Sequence, residues 1–327
     1  MNLDLRCHFT MLEDNKMVIT VVGTDRPGIV ANVTGVLARF HVNILKTRAS
    51  TIFSDLFVII LAVDTSTSLI RRDVLMNILK KSCEDVGLAV AIESFQSYKY
   101  DKKVIVFDLD GTLIEQEVID ELAKAAGVGE EVKKITKMAM EGKINYLEAL
   151  KARVRLLKGL PVSVLEKIKS SIIINPGVKE LTLKLKELGF KIGIITGSFD
   201  FISNYIGKLI GADYVFCNKL IIEDGYLTGE VEGEITSPEA KLNAIKKIAK
   251  ELGIGLESCV AIGDGANDLF MIENVGLGIG YKPKLIVKER AHGLINTDDI
   301  RILLALMGCI DLKKDIVKRL EKYDKNV

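Results

Sequence analysis

The sequence has few of the residues that build disulfide scaffolds and zinc sites. Its 327 residues include five cysteines and three histidines. No two cysteines form a C-x-x-C pair, and the histidines are scattered along the chain. This pattern argues against a zinc site and predicts buried thiols in a reducing cytosol. The residues concerned are Cys7, Cys83, Cys217, Cys259, Cys309, His8, His41 and His292.

Excess charge and long apolar runs are also missing. The formal net charge is +1, tryptophan is absent, and aromatic residues make up 6% of the chain. A near-neutral chain without a basic, aromatic-rich patch disfavours nucleic-acid and membrane partners. No apolar run reaches transmembrane length, and residues 1–16 lack the basic start and apolar stretch of a signal peptide. We therefore expect a cytoplasmic protein that binds neither nucleic acid nor membrane.

The length and the apolar content predict two folded units. A chain of 327 residues exceeds one typical domain, and 48% hydrophobic residues suffice for two cores. The polar stretch 96–103 is expected to link an amino-terminal unit, 17–95, to a larger unit, 104–310. Residues 1–16 form an extension without an evident role, and the charged segment 311–327 is typical of a solvated terminal helix.

Two carboxylates follow the apolar run Val104–Phe107. On a strand, the side chains of Asp108 and Asp110 share one face, while Leu109 points to the other. Gly111 permits a sharp turn and a close approach of the backbone. Both acids are therefore expected at the carboxyl edge of a sheet, where α/β enzymes carry out their chemistry. An Asp-Gly turn after a strand is common, so this segment alone does not decide between a turn and a site.

Three further segments place polar groups at the ends of predicted strands or at the start of a helix. A hydroxyl and free backbone N–H groups at a strand end suit a phosphate. Taken singly, each segment also has an ordinary explanation, such as a solvated lysine or a capped turn. Together with the two acids they form one constellation. The segments are Thr196-Gly197-Ser198, Lys241 after Ser237-Pro238, and Asp264 to Asp268 after the apolar run Val260–Gly263.

These four segments resemble the motifs of the haloacid dehalogenase superfamily of phosphohydrolases. Between the first two lies a largely helical insert, about 117–174, whose spacings are similar to those of the phosphoserine phosphatases. The resemblance implies an α/β fold, with a doubly wound, Rossmann-like parallel sheet and a helical cap inserted after the first strand. It also implies Mg²⁺-dependent hydrolysis of phosphoserine, the last step of serine synthesis.

The resemblance assigns roles to individual residues. Asp108 would be the nucleophile, and Asp110 the general acid and base. Mg²⁺ would be held by Asp108, Asp264 and the main-chain carbonyl of Asp110, which form an oxygen-rich shell. Phosphate oxygens would be bound by Thr196, Gly197, Lys241 and Asn267, with Asp268 supporting the lysine or the metal.

The insert is expected to select the substrate, because phosphoserine adds an ammonium and a carboxylate to the phosphate. Glu117 matches the ammonium, and the planar guanidinium of Arg153 matches the carboxylate. Met140 and Tyr146 would close the pocket with apolar surface. Without the motif spacing, an exposed helix face would be the better explanation of these charges. The sequence departs from the resemblance at Tyr146, where Phe is usual, and at Thr196, where Ser is common.

The amino-terminal unit is predicted to have the order βαββαβ, a ferredoxin-like arrangement. β-Branched runs predict its strands, and apolar residues at helical spacing predict its helices. It resembles an ACT domain, a small amino-acid-sensing module, in the loop Asp25–Val30. The predicted elements are strand 17–22, helix 29–40, strand 43–52, strand 56–63, helix 69–86 and strand 88–95.

We expect this unit to bind serine or a similar amino acid. The loop at Pro27 and Gly28 would offer backbone N–H groups to a carboxylate, with Asn32 one helical turn further along. Asn43 would contribute from a neighbouring subunit, so we also expect a homo-oligomer. The alternative is a plain dimerisation module in which Pro27 only starts a helix.

Two other functions fit parts of the sequence. A related enzyme could act on another small phosphomonoester or transfer phosphate to homoserine. The chain could also be an amino-acid-binding regulator with a phosphatase scaffold, although a scaffold has no need for Asp108, Asp110, Lys241 and Asp264 together. Separately, Asp224-Gly225 between apolar residues predicts a hairpin over 221–227 that flanks the entrance of the site.

Overall fold

The computed structural model describes residues 15–52 and 56–308. The predicted terminal helix 311–327 and all but the last two residues of the extension 1–16 lie outside the described residues. Within the described ranges, no helix combines the length and the apolar content needed to cross a membrane.

The amino-terminal unit has the predicted order βαββαβ. The strand Asn43–Ile52 agrees with its predicted bounds. The second helix begins at Arg72, later than the predicted start at Leu69, because Leu69 is 64% exposed and contributes nothing to the buried helix face. The elements are β1 (Lys16–Thr24), α1 (Ile29–Arg39), β2 (Asn43–Ile52), β3 (Leu56–Asp64), α2 (Arg72–Asp85) and β4 (Ala89–Ser94).

The larger unit alternates strands with helices, and four of its helices form the insert between the first and second strands. This alternation produces the predicted doubly wound fold with a helical cap. The elements are α3 (Phe95–Tyr98), β5 (Val104–Phe107), α4 (Val118–Ala126), α5 (Gly129–Met140), α6 (Tyr146–Arg155), α7 (Ser163–Ser171), α8 (Val178–Glu187), β6 (Lys191–Phe199), α9 (Asp200–Ile210), β7 (Tyr214–Glu223), β8 (Tyr226–Gly233), α10 (Pro238–Glu251), β9 (Cys259–Gly263), α11 (Leu269–Glu273), β10 (Leu277–Tyr281), α12 (Leu285–Arg290), β11 (Gly293–Ile295) and α13 (Ile302–Leu306).

The central strands of the larger unit are parallel, in the order β11-β10-β9-β5-β6-β7. All four residues of β5 are completely buried, as expected for a parallel strand with helices on both faces. Because the strands run in the same direction, the carboxyl ends of β5, β6 and β9 meet at one edge. This edge faces the cap and carries the polar segments found in the sequence.

The two units share one sheet of eleven strands. The edge strand β4 of the amino-terminal unit pairs antiparallel with β11, with Ala91 opposite Gly293 and Val90 opposite Leu294. A Cβ atom at Gly293 would lie 2.5 Å from the Val90 carbonyl oxygen, so the close approach of the strands requires glycine. The sequence predicted a separate unit, because nothing local in either strand indicates a partner about 200 residues away.

Residues 96–103, which the sequence predicts as a polar linker, are partly helical and partly buried. Helix α3 buries Phe95 and Tyr98. Lys102 forms an ion pair with Glu93 at 2.9 Å, and both side chains are only 3% exposed. The connection is therefore packed into the junction between the units.

A second junction joins α2 of the amino-terminal unit to α12. The buried Lys80 Nζ donates hydrogen bonds to the carbonyl oxygens of Glu289, at 2.8 Å, and Ala291, at 3.1 Å. Glu84 also forms an ion pair with Lys288. The carboxyl end of α12 is thereby held by a positive charge, which is favourable for the helix dipole.

His292 lies at the same junction. Its Nδ1 accepts a hydrogen bond from the Gly278 N–H at 2.9 Å, and its carbonyl accepts one from the Ile92 N–H at 2.9 Å. Burial, together with the positive charges of Lys102 and Lys80, lowers the pKa of His292 to about 4. The imidazole is therefore neutral at physiological pH.

The hairpin predicted at Asp224-Gly225 is confirmed. Both residues have positive φ, 48° and 81°, as a tight turn between β7 and β8 requires. The hairpin also pairs with the loop between α6 and α7, through a bridge of Pro161 to Tyr226 and a hydrogen bond from the Gly159 N–H to the Leu227 carbonyl at 2.8 Å. It thus connects one end of the cap to the sheet.

Candidate active site

The two acids of the first motif stand at the end of β5. The backbone of Asp108 remains in the sheet, because its N–H donates to the Ile262 carbonyl at 2.8 Å. Gly111 turns the chain away with a φ of 71°. The positive φ therefore favours glycine, and Asp264 leaves little room for a side chain, because a Cβ atom there would lie 3.1 Å from its carboxylate carbon.

A buried network of charges forms the floor of the site. The Lys241 Nζ lies 2.7 Å from an oxygen of Asp108 and 2.7 Å from an oxygen of Asp268. The second oxygen of Asp268 accepts from the N–H groups of Asp264, at 3.1 Å, and Gly265, at 3.0 Å. Both carboxylate oxygens of Asp268 are therefore occupied by hydrogen bonds to Lys241 and to the backbone.

This network shifts the pKa values of its members. Burial, and then repulsion from Asp268, raises the pKa of Asp108 to about 7, against the attraction of Lys241. Burial also lowers the pKa of Lys241, but Asp108 and Asp268 raise it by more, so the lysine stays protonated. The pKa of Asp110 lies well above its ordinary value, because the group is buried and close to Glu117 and Asp108. The raised pKa of Asp110 favours its protonated form, which can donate a proton.

A bulge near the end of β6, which we call the threonine loop (residues 196–198), presents small polar groups to the same edge. Thr196 is buried, and its Oγ1 accepts a hydrogen bond from the Ser198 N–H at 3.0 Å. The threonine hydroxyl can therefore direct its own proton towards a substrate oxygen. A Cβ atom on Gly197 would lie 1.8 Å from the Tyr146 hydroxyl, so glycine at this position lets the cap approach the loop closely.

A cavity of about 430 Å³ lies between the sheet edge and the cap, and Lys241 and Asp268 are buried beneath its wall. Glu117 and Arg153 lie on the cap side, and the Arg153 Nε donates to the Ala149 carbonyl at 3.2 Å. Among the described residues, no acid lies within ion-pair distance of Arg153. Met140 lines the mouth but is 75% exposed, so it does not by itself seal the cavity. The predicted site residues in the cavity wall are Asp108, Asp110, Glu117, Met140, Tyr146, Arg153, Thr196, Gly197, Asp264 and Asn267.

Three residues of the site were not singled out from the sequence. Lys284 lies at the mouth, with its Nζ 3.3 Å from Asp264 and 3.9 Å from Glu117. Ser198 is buried in the cavity wall. Asn218 lies behind the loop and donates from its Nδ2 to the Gly197 carbonyl at 3.0 Å. Only Ser198 had a sequence signal, since it belongs to the polar segment Thr196-Gly197-Ser198 near the end of β6.

The acidic groups at the floor fit a divalent cation. Carboxylate oxygens of Asp108, Asp264 and Asp268 lie within 4.8 Å of one another. Within the described part of the chain, the three acids Asp108, Asp264 and Asp268 meet only Lys241 and Lys284 here. Burial and repulsion from Asp268 also raise the pKa of Asp264 and of Asp108, so a further positive charge beside them would be favourable. Because Asp268 is engaged by Lys241 and the backbone, Asp108 and Asp264 are the acids with oxygen atoms to offer. Hard oxygen donors of this kind suit Mg²⁺.

Comparison with known proteins agrees with this architecture. The sequence-family model of the haloacid dehalogenase-like hydrolases matches residues 105–273. This range includes every member of the buried network. The chain belongs to the haloacid dehalogenase-like hydrolases. The model of the ACT domain matches residues 15–93 of this hydrolase, which correspond to the amino-terminal unit.

Individual relatives support the same assignment. A phosphoserine phosphatase of Archaeoglobus fulgidus is 42% identical over 309 residues, which cover 94% of this chain and 88% of that protein. A solved structure described as a phospho-aspartyl intermediate analogue of phosphoserine phosphatase is 48% identical, with a TM-score of 0.59, and covers 62% of this chain and 98% of that one. A haloacid dehalogenase family hydrolase of Salmonella enterica serovar Typhi is 27% identical, with a TM-score of 0.77, and covers 90% of this chain and 98% of that one.

Proposed function

We propose that this hydrolase converts O-phosphoserine to serine and phosphate through an aspartyl phosphate on Asp108. The observation that carries the proposal is the convergence, in one cavity, of a phosphate-binding floor and a cap wall with one acid and one arginine. The relatives named as phosphoserine phosphatases support it. The predicted cytoplasmic location and the place at the end of serine synthesis belong to the same proposal.

The floor provides the groups for phosphoryl transfer. Asp108 attacks phosphorus, and the serine oxygen leaves with a proton from Asp110, whose raised pKa keeps it protonated. Lys241, Thr196 and the loop at Gly197 hold the phosphate oxygens as charge shifts onto them. In the second step Asp110 removes a proton from water, which attacks the aspartyl phosphate and releases the nucleophile.

Asp108, Asp264 and the main-chain carbonyl of Asp110 would hold the Mg²⁺ ion. When bound, the ion supplies positive charge that offsets the phosphate dianion and keeps Asp108 ionised. The pKa of about 7 for Asp108 indicates that the protein's own charges do not ionise it fully at neutral pH. Activity should therefore disappear with EDTA and return with added Mg²⁺.

The cap wall would distinguish phosphoserine from other phosphomonoesters. Glu117 would bind the ammonium, and Arg153 would bind the carboxylate with two parallel hydrogen bonds. Met140, at the mouth, and Tyr146, over Gly197, would close on the bound molecule. Asn267 would bind a phosphate oxygen from the opposite wall.

The test compares phosphoserine with p-nitrophenyl phosphate, which has no amino-acid end. Arg153→Ala should lower kcat/KM for phosphoserine, by an amount that corresponds to a loss of about 2 to 5 kcal/mol of transition-state stabilisation. The kcat/KM for p-nitrophenyl phosphate should change little. Lys151→Ala, on the same helix and without a place in the cavity wall, is the matched control. Equal losses on both substrates would show that Arg153 is structural. A panel that includes homoserine as phosphate acceptor separates hydrolysis from transfer, and a wild type inactive on the whole panel would leave only the regulator alternative.

An amino-acid effector is proposed for the ACT domain. A cavity of about 480 Å³ lies between the start of α1 and the end of α2. Pro27, Gly28 and Asn32 line it on one side, and Asp85 and Gly87 on the other. The Asn32 Oδ1 accepts a hydrogen bond from Ser82 at 3.0 Å, so α1 and α2 are already connected beside it. Serine, the product of the proposed reaction, has the carboxylate and ammonium that such a loop and an acid can bind. Asn43 is not among the residues that line this cavity, and its contribution from a second subunit stays a prediction, as does the homo-oligomer.

The contacts of α2 provide a route to the active site. Lys80 and Glu84 hold α12, and Lys284, directly before α12, contacts Asp264 and Glu117. Titration calorimetry of the full chain with serine and glycine, together with inhibition assays, tests the effector. In Lys80→Met, serine should still bind but should no longer alter kcat. If no heat of binding appears in the wild type, the ACT domain has only a structural role.

A further inference from the structure

The loop that would bind the phosphate is a break in the sheet. Strand β6 pairs with β7 up to Ile195 and again at Phe199, which lies opposite Asn218. Between these two points, residues 196–198 bulge out of the ladder. Their backbone groups therefore need partners other than the neighbouring strand.

The side chain of Asn218 supplies such partners. It is 1% exposed, and its Nδ2 donates to the Gly197 carbonyl at 3.0 Å and to the Ile235 carbonyl at 2.9 Å. Its Oδ1 accepts from the Ile235 N–H at 3.2 Å. The close fit extends to Gly233, where a Cβ atom would lie 2.3 Å from this oxygen.

These hydrogen bonds fix one peptide unit of the loop. The peptide between Gly197 and Ser198 is trans, so its carbonyl and its N–H point in opposite directions. Asn218 holds the carbonyl, and the Thr196 Oγ1 holds the N–H. Because the threonine oxygen accepts here, the direction of its own proton depends on the orientation that Asn218 imposes.

The same side chain reaches the element that carries Lys241. Ile235 is completely buried and lies six residues before Lys241. Between them, Ser237 caps α10 by accepting from the Ala240 N–H at 3.3 Å. Asn218 thus connects residues 196–198 with the segment 235–241 that leads to Lys241. These two parts of the site are about 40 residues apart in sequence.

We propose that Asn218 is a positioning residue for the phosphate. Its side chain fixes the position of the Thr196 hydroxyl relative to the start of α10, the helix that carries Lys241. The inference rests on the phosphatase chemistry proposed above and concerns only the phosphate end of the substrate. It does not depend on which molecule carries that phosphate.

The first experiment measures phosphate affinity in Asn218→Ala. The inhibition constant for inorganic phosphate should rise, and kcat/KM should fall on the order of 10²-fold, equally for phosphoserine and p-nitrophenyl phosphate. The inhibition constant does not depend on how much enzyme is folded. The control is Thr182→Ala, which removes a buried hydroxyl bonded within α8 to the Lys179 carbonyl and away from the cavity. An unchanged inhibition constant in Asn218→Ala, or the same change in Thr182→Ala, would overturn the proposal.

A second measurement uses the wild type and remains informative if the variant does not fold. Hydrogen exchange is followed with and without inorganic phosphate. Phosphate should protect residues 196–199 and 234–241 together, because Asn218 couples them. Protection of 196–199 with unchanged exchange at 234–241 would overturn the proposal. A wild type that hydrolyses p-nitrophenyl phosphate but not phosphoserine would refute the proposed substrate and leave both of these tests valid.

Discussion

Two buried lysines of this hydrolase meet acids in different ways. At the junction of the units, Lys102 pairs with Glu93 and donates to the backbone carbonyls of Ser97 and Glu257, so one positive charge meets one negative charge. At the active site, Lys241 lies between Asp108 and Asp268, with Asp264 close by. The first pair is balanced and the second has excess negative charge. The difference separates a contact that holds the fold from one that is prepared to bind a cation and react.

The largest expected effect is at the nucleophile. Asp108→Asn should lower kcat on the order of 10⁴-fold, because no other described acid is placed to form the covalent intermediate. Without metal, the variant should be at least as stable as the wild type above pH 7, because burial makes the ionised carboxylate unfavourable in the folded state. Steady-state rates and metal-free thermal melts measure both. A variant that retained wild-type turnover would refute the covalent mechanism.

Removal of Lys241 should lower the activity nearly as much as removal of the nucleophile. In Lys241→Met, kcat/KM should fall about 10³-fold, because the phosphate loses a fixed positive charge and the pKa of Asp108 rises further. The loss should be the same for phosphoserine and p-nitrophenyl phosphate. A loss confined to phosphoserine would place Lys241 at the amino-acid end instead.

Substitutions in the balanced pair Lys102–Glu93 should change the stability of the fold and leave catalysis intact. Lys102→Met leaves Glu93 buried without its partner and should lower the free energy of unfolding by about 3 to 5 kcal/mol. The double variant Lys102→Met with Glu93→Leu should recover most of that loss, since no unpaired charge remains. Both should retain kcat per folded molecule. Denaturant unfolding measures the stability of both variants, and steady-state rates measure their kcat. A large fall in kcat of the folded double variant would show that the junction takes part in catalysis.

The smallest effect concerns pH at the junction. The pKa of His292 is about 4 in the folded protein and 6.5 ordinarily, so the unfolded chain binds more protons between these values. The neutral histidine therefore contributes stability above pH 6.5, and this contribution is lost as the pH falls towards 4. It amounts to at most about 3 kcal/mol. In His292→Gln, the unfolding free energy should decrease less between pH 6.5 and pH 4 than it does in the wild type. An unchanged decrease would show that other groups cause the pH dependence.

The sequence predicted the parts of this molecule that are encoded locally. Asp108 and Gly111 are neighbours on one strand end, and Asp224-Gly225 contains its own turn, so their local geometry follows from a few residues. The resemblance supplied the fold class, which the structure and the comparisons confirm.

The remainder depends on contacts between distant segments. The pairing of β4 with β11 and the contact of Lys80 with the end of α12 join residues about 200 positions apart. Asn218 has no local signal in the sequence, because its partners become evident only when the bulge within β6 is seen. The roles of the individual site residues stay predictions until the variants are measured.

The shared sheet has a consequence for how this protein can be divided. If the chain were cut between the units, strand β11 would lose β4, its antiparallel neighbour, and Gly293-Leu294-Ile295 would become an apolar edge with open hydrogen-bonding groups. Exposed edges of this kind pair with other chains and cause aggregation. An isolated catalytic fragment would therefore expose this edge, and a charge or a proline at Leu294 would reduce its tendency to pair with other chains.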